Sequence, residues 1–92
     1  MNIQIEFLAQ LGVAAGGRRR TLEVSQTCSA QDAIRSALNG DGEELRALVL
    51  DAEGGLRGSL LVFVGDEQLD WDQPKALRPG ETIVLAPPIA GG

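Results

Sequence analysis

The sequence predicts an α+β fold, a mixed sheet of four to five strands packed on one main helix. Three observations carry this. Two stretches near the start alternate apolar and polar residues with period two, one central stretch places apolar residues at helical spacing, and two further strand-like runs follow it. Strands and helix do not strictly alternate, so the sheet is mixed rather than all-parallel. The helical connection between the second and third main strands suits a crossover.

From Asn2 to Leu8, Ile3, Ile5 and Phe7 lie on one side and Asn2, Gln4 and Glu6 on the other, the pattern of a half-buried strand. Gly12, Gly16 and Gly17 read as a loose connection. Alternation resumes from Arg20 to Val24, with Leu22 and Val24 apolar, so the two runs predict a hairpin with a long loop. Ser29 followed by Asp32 resembles a capping box, and Ala30, Ala33, Ile34, Ala37 and Leu38 then fall on one stripe of an amphipathic helix. Asn39 and Gly40 supply a left-handed stop. A shorter helix is predicted from Glu43 to Val49, with Leu45, Leu48 and Val49 inward, followed by a polar, glycine-rich loop from Asp51 to Gly58. Leu60 to Val64 is a continuous apolar run whose β-branched content favours a strand. Leu69 to Trp71 is predicted as a short strand, Leu77 as a buried plug, and Thr82 to Ala86 as the last strand. Pro87 and Pro88 end that strand, because neither donates to a ladder.

Composition narrows the chemistry. Ninety-two residues with 43% apolar and 23% charged content suit one small ordered domain. There is no histidine, which excludes imidazole bases and ligands, and a single cysteine, which excludes an intrachain disulfide or a Cys-rich metal site. No metal site is expected. The net charge of −5 argues against nucleic acid as a partner. The one basic cluster, Arg18 to Arg20, reads as a solvated loop end running into a strand. The acidic residues Asp66, Glu67, Asp70 and Asp72 read as a solvated edge and turn. No apolar run is long enough for a membrane span and the start lacks a signal-peptide pattern, so no membrane partner and a cytoplasmic location are expected. Cys28 reads as a small, partly buried residue before the helix and Trp71 as a partly buried edge residue; Lys75 is the only lysine, which argues against a chain-building tag but not against single attachment to targets.

The segment from Val84 to Gly92 resembles the ending of the ubiquitin-like sulfur carriers. Its two prolines (Pro87, Pro88), aliphatic Ile89, small Ala90 and final Gly91 and Gly92 are most similar to the small subunit of molybdopterin synthase. Leu56 and Arg57, the run Leu60 to Val64, and Gly65 to Glu67 resemble the longer carriers that serve cysteine, thioacid or siderophore-type metabolites, as do the added residues around Asp51 to Gly58. Leu77 to Thr82 resembles the family turn into the last strand. The resemblance spans essentially the whole chain and implies a β-grasp (ubiquitin-like) fold, with residues 1–88 as the domain and 89–92 as a flexible tail.

It also implies a chemistry in which the protein is not itself an enzyme and holds no permanent cofactor. An ionised terminal carboxylate is a poor acyl electrophile. An ATP-dependent activating enzyme of the family adenylates it, and sulfur then displaces AMP to leave covalent sulfur at Gly92 as a thiocarboxylate, for donation to a sulfur-accepting biosynthetic enzyme. Gly91 and Gly92 lack side chains and suit entry into a narrow active site. Ala90 and Ile89 complete the tail, with Ile89 available to an apolar groove, while Pro87 and Pro88 bias its exit toward an extended path. Strand parity puts Leu60, Val62 and Val64 on one face and Leu61 and Phe63 on the other, and the resemblance implies that the first set, with Ile83 and Leu85, faces inward. That leaves Leu61, Phe63, Val84 and Ala86 as an exposed apolar patch for partners. Two alternatives stay open: a protein modifier attached through Gly92 to target lysines, and a plain interaction module of the same fold.

Overall fold

The computed structural model describes residues 1–39 and 42–87. Five strands and three helices follow in the order β1 (Asn2–Phe7), α1 (Gln10–Ala15), β2 (Arg19–Glu23), α2 (Ala30–Asn39), α3 (Glu43–Val49), β3 (Leu61–Val64), β4 (Glu67–Gln68) and β5 (Thr82–Ala86). The sheet order is β2-β1-β5-β3-β4. β1 and β5 run parallel at the centre, with Ile5 opposite Ile83, and the remaining pairs are antiparallel. The first and last strands of the chain therefore lie side by side, which places the start of the C-terminal segment at the middle of the sheet.

Period-two alternation produces one buried sheet face. Ile3, Ile5 and Phe7 of β1, Val62 and Val64 of β3, and Ile83 and Leu85 of β5 are all nearly inaccessible. The stripe Ala30, Ala33, Ile34, Ala37 and Leu38 of α2 belongs to the same core, joined by Leu45 and Val49 of α3. Ser29 caps α2, its Oγ accepting from the backbone N–H of Asp32 at 3.1 Å. Leu77 is buried as a plug, and Leu60 is buried just ahead of β3. The Gly40 stop lies outside the described residues.

The structure corrects several expectations. The segment after β1 contains α1, which is short and buries only Leu11, too little for helical periodicity to register. Ala9 precedes it at φ 52°, the one non-glycine residue with positive φ among the described residues, and this sharp bend turns the chain out of β1. Gly12 is not loop punctuation: a Cβ there would lie 2.8 Å from the carbonyl oxygen of Phe7, so glycine permits α1 to close against β1. Leu48 is not inward; it is 36% exposed on α3. The short strand is Glu67–Gln68 rather than Leu69–Trp71. Gly65, at φ 59°, and Asp66 form a two-residue hairpin loop that pairs Val64 with Glu67. Leu69 is buried just beyond the strand, its N–H donating to the Val62 carbonyl, and Trp71 lies in the following turn.

Arg20 also departs from the solvated reading. It sits half-buried on β2, with its guanidinium carbon 5.3 Å from the Phe7 ring centroid. It donates to the carbonyls of Ala37 at 3.2 Å and Ala15 at 3.0 Å. One arginine thus ties the end of α1 and the last turn of α2 to the edge strand. Arg19 points to the other face and pairs with Glu6 at 2.6 Å.

Candidate functional site

All three helices lie in the layer that covers the Ile3, Ile5 and Phe7 face, so the opposite face of the sheet is open. β5 contributes Val84 and Ala86 to that open face, and β3 contributes Phe63 and Leu61 directly opposite them. Leu61 is 44% exposed, while Phe63, Val84, Ala86 and Pro87 are half-buried. Polar groups frame this quartet. Glu6, paired in register with Val84, carries the ion pair to Arg19 on one side, and Gln68 lies opposite Phe63 on the other. The arrangement is an apolar strip with a polar rim, the composition of many protein docking surfaces.

The strip runs toward the exit of β5. The N–H of Leu8 donates to the carbonyl of Leu85 at 3.1 Å, holding the end of β5 against the end of β1. Around the corner, an open cleft of about 450 Å³ is lined by Leu11, Ala47, Leu48, Leu60 and Pro87. The sequence reading missed this cleft, because it depends on α1 and on the outward side of α3. Pro88, Ile89, Ala90, Gly91 and Gly92, the tail residues singled out from the sequence, lie outside the described residues.

A buried amide was also missed. Gln31 is 5% exposed and reaches from α2 into the loop between β4 and β5. Its Nε2 donates to the carbonyls of Gln73 at 2.8 Å and Trp71 at 3.1 Å, with a longer contact to Asp70 at 3.4 Å. Its Oε1 accepts from the backbone N–H of Lys75 at 3.2 Å. A polar residue on the α2 stripe was the available signal, but its partners, some forty positions later, were not deducible from local pattern. This amide fixes the loop that carries Trp71 and Lys75. Trp71 is half-buried under Arg35, whose guanidinium carbon lies 5.1 Å from the ring centroid. The Lys75 ammonium pairs with Glu67 at 3.0 Å.

Cys28 is half-buried, with Sγ 3.3 Å from the Ser29 carbonyl. Burial, and secondarily the Asp32 carboxylate, push its thiol above the ordinary value, so it is not an activated nucleophile. Among the described residues no His, Cys, Asp and Glu side chains group to hold a metal ion. No helix among them is long and apolar enough to cross a membrane.

No family model matches the sequence, and none of the curated proteins matches it. The structure is similar to solved ones. Crystalline small archaeal modifier protein 1 from Haloferax volcanii superposes with a TM-score of 0.88 at 26% identity, covering 100% of both chains. The chain belongs to the ubiquitin-like β-grasp superfamily of sulfur carriers and protein modifiers. Two more distant likenesses share this β-grasp fold. Urm1 from Trypanosoma brucei has a TM-score of 0.78 at 21% identity, covering 99% of this chain and 95% of that one. A putative molybdopterin converting factor subunit 1 from Pyrococcus furiosus has a TM-score of 0.76 at 18% identity, covering 97% and 99%. β-Grasp proteins of this superfamily are small carriers and modifiers rather than catalysts.

Proposed function

We propose that this β-grasp protein is a modifier that works through the carboxyl of Gly92, activated by a separate ATP-dependent enzyme and passed to an amine of a target protein. The single observation that carries this reading is the end-to-end likeness, at 26% identity, to a protein described as a small archaeal modifier. The terminal Gly91 and Gly92 support it, because a tail without side chains threads a narrow site. Adenylation replaces the carboxylate oxyanion with AMP as leaving group. The attacking amine forms the amide, AMP departs with the bonding electrons, and the amine proton goes to solvent or to a base of the partner.

In this reading residues 1–88 are the folded body and 89–92 the reactive tail. The strip Leu61, Phe63, Val84 and Ala86 docks on the activating enzyme, and Pro87 and Pro88 bias the tail that carries Ile89 and Ala90 toward an extended path. The apolar strip favours this role because it borders the exit of β5.

A second reading, sulfur carriage, keeps the same first step and replaces the amine with a sulfur nucleophile, leaving a thiocarboxylate for a sulfur-accepting enzyme. The sequence from Pro87 to Gly92 favours it through its resemblance to the molybdopterin synthase small subunit, as does the likeness to the converting-factor subunit. Intact-mass analysis of protein from its native host separates the two. Isopeptide-linked conjugates ending in Gly92 are expected for the modifier. A gain of about 16 Da at Gly92, with no conjugates, would replace the modifier reading with sulfur carriage.

A further inference from the structure

We propose that this protein pairs with a second copy of itself through the free edge of β2, joining two sheets into one. The inference is independent of the tail chemistry. β2 is an outer strand of the sheet. Its pairing with β1 decides which of its backbone groups face outward. The N–H of Phe7 donates to the Arg18 carbonyl at 2.7 Å, and the N–H of Val24 donates to the Met1 carbonyl at 2.8 Å. In an antiparallel pair such bonded positions alternate with unbonded ones. Arg18, Arg20, Leu22 and Val24 therefore turn their backbone groups toward β1, and Arg19, Thr21 and Glu23 turn theirs away. These three residues are exposed, and no other element bonds to their backbone groups among the described residues.

An exposed row of unpaired N–H and C=O groups is a template for another strand, and charge on an edge usually defeats such pairing. Here the charges are self-complementary. In antiparallel pairing centred on Thr21, Arg19 faces Glu23 of the second copy, Glu23 faces its Arg19, and the two Thr21 residues face each other. Each facing pair exchanges two N–H···O=C bonds, because the groups that meet are those turned away from β1. Shifting the register by two residues leaves both charges opposite uncharged residues. Shifting it by four sets Arg19 against Arg19 or Glu23 against Glu23. Charge therefore selects one register, and that register is two-fold symmetric, as a closed dimer requires.

The side chains are placed for this contact. Glu6 accepts from Nε of Arg19 at 3.1 Å and from Nη2 at 2.6 Å, which orients the guanidinium and leaves Nη1 for a second carboxylate. Glu23 forms no ion pair among the described residues. On the other face of the strand, half-buried Arg20 of one copy meets half-buried Leu22 of the next, which extends the layer that packs on the core. β1 separates β2 from β5, so the pairing leaves the strip Leu61, Phe63, Val84 and Ala86 uncovered. A two-fold axis normal to the sheet sets both strips on the same face of the joined sheet. Five strand spacings, about 24 Å, lie between the two β5 strands.

The test is sedimentation equilibrium of the untagged full chain at increasing concentration. A reversible monomer–dimer equilibrium is expected between about 10 μM and 1 mM, the range of a small interface. Thr21→Pro removes an N–H that β1 does not use and is expected to weaken the dimer about tenfold or more with an unchanged dichroism spectrum. Glu23→Arg and Arg19→Glu each set like charges against one another and are expected to weaken it to a similar degree. An equimolar mixture of these two variants restores both opposite pairs and is expected to recover the dimer as a mixed species, a result that stands even where Thr21→Pro fails to fold. A monomer persisting at about 1 mM would overturn the proposal. A dimer unaffected by Glu23→Arg, or removed instead by Leu61→Asp, would overturn it by placing the contact on another surface. Failure of the mixture to pair would overturn it as well, since the register rests on those charges.

Discussion

Replacing Gln31 by leucine tests whether one buried amide holds the loop that carries Lys75. The substitution keeps the bulk of the side chain inside the α2 stripe and removes its polar end. Two well-formed donor bonds, to Gln73 and Trp71, and one acceptor bond, from Lys75, are lost. At about 0.5–1.5 kcal/mol net for each bond, and with the loop near enough to water to recover part of its hydration, the loss is about 2–3 kcal/mol. For a domain of this size that lowers Tm by roughly 10–20 °C. Urea unfolding followed by far-UV circular dichroism measures the global part. Fluorescence of Trp71, the single tryptophan, measures the loop itself. In the variant the fluorescence transition is expected at lower urea than the dichroism, as the loop opens before the core. Hydrogen exchange at the Lys75 amide is expected to accelerate, since its acceptor is gone. A stability change below about 0.5 kcal/mol, with unchanged exchange at Lys75, would refute the assignment of the loop to this one side chain.

Gly12→Ala places a methyl 2.8 Å from a backbone carbonyl and is expected to destabilise the fold; the cost is about 1–3 kcal/mol by thermal denaturation, whereas a neutral result would mean α1 does not close on β1. Leu61→Asp, at an exposed site, is expected to change stability by less than about 1 kcal/mol. The same change should weaken binding to the activating enzyme about tenfold or more in calorimetry, and equal binding would remove the strip from the interface. Cys28 should react with iodoacetamide more slowly near pH 8 than the unfolded chain does, because burial and Asp32 raise its thiol. Asp32→Asn removes the smaller of these causes and should speed alkylation in part; no change would leave burial alone responsible. Deleting Gly92 is expected to eliminate conjugates and thiocarboxylate alike without shifting Tm, and persistence of either would place the chemistry elsewhere.

The main elements were legible because their patterns are local. Alternation at Ile3, Ile5 and Phe7, and the stripe from Ala30 to Leu38, record which face of each element meets the core. The same period showed that Leu61 shares a face with Phe63 and Val84 with Ala86, but both faces of these runs are apolar, so which one is outward came from the resemblance and is seen in the burial of the strands. The short elements were not legible. α1 has one buried residue and β4 has two residues, so neither carries enough repeats to define a period.

By itself, then, the sequence determined the α+β class and the core-facing residues of β1 and α2, the elements whose apolar and polar positions alternate. The tertiary structure alone decided which distant groups meet. It brought Gln31 to the carbonyls of Trp71 and Gln73, set Arg20 against Phe7, and placed Lys75 at the end of the sheet away from the exit of β5. Periodicity reports the face a residue presents, whereas its partner depends on how the strands order themselves, and that order is fixed only when the whole core packs.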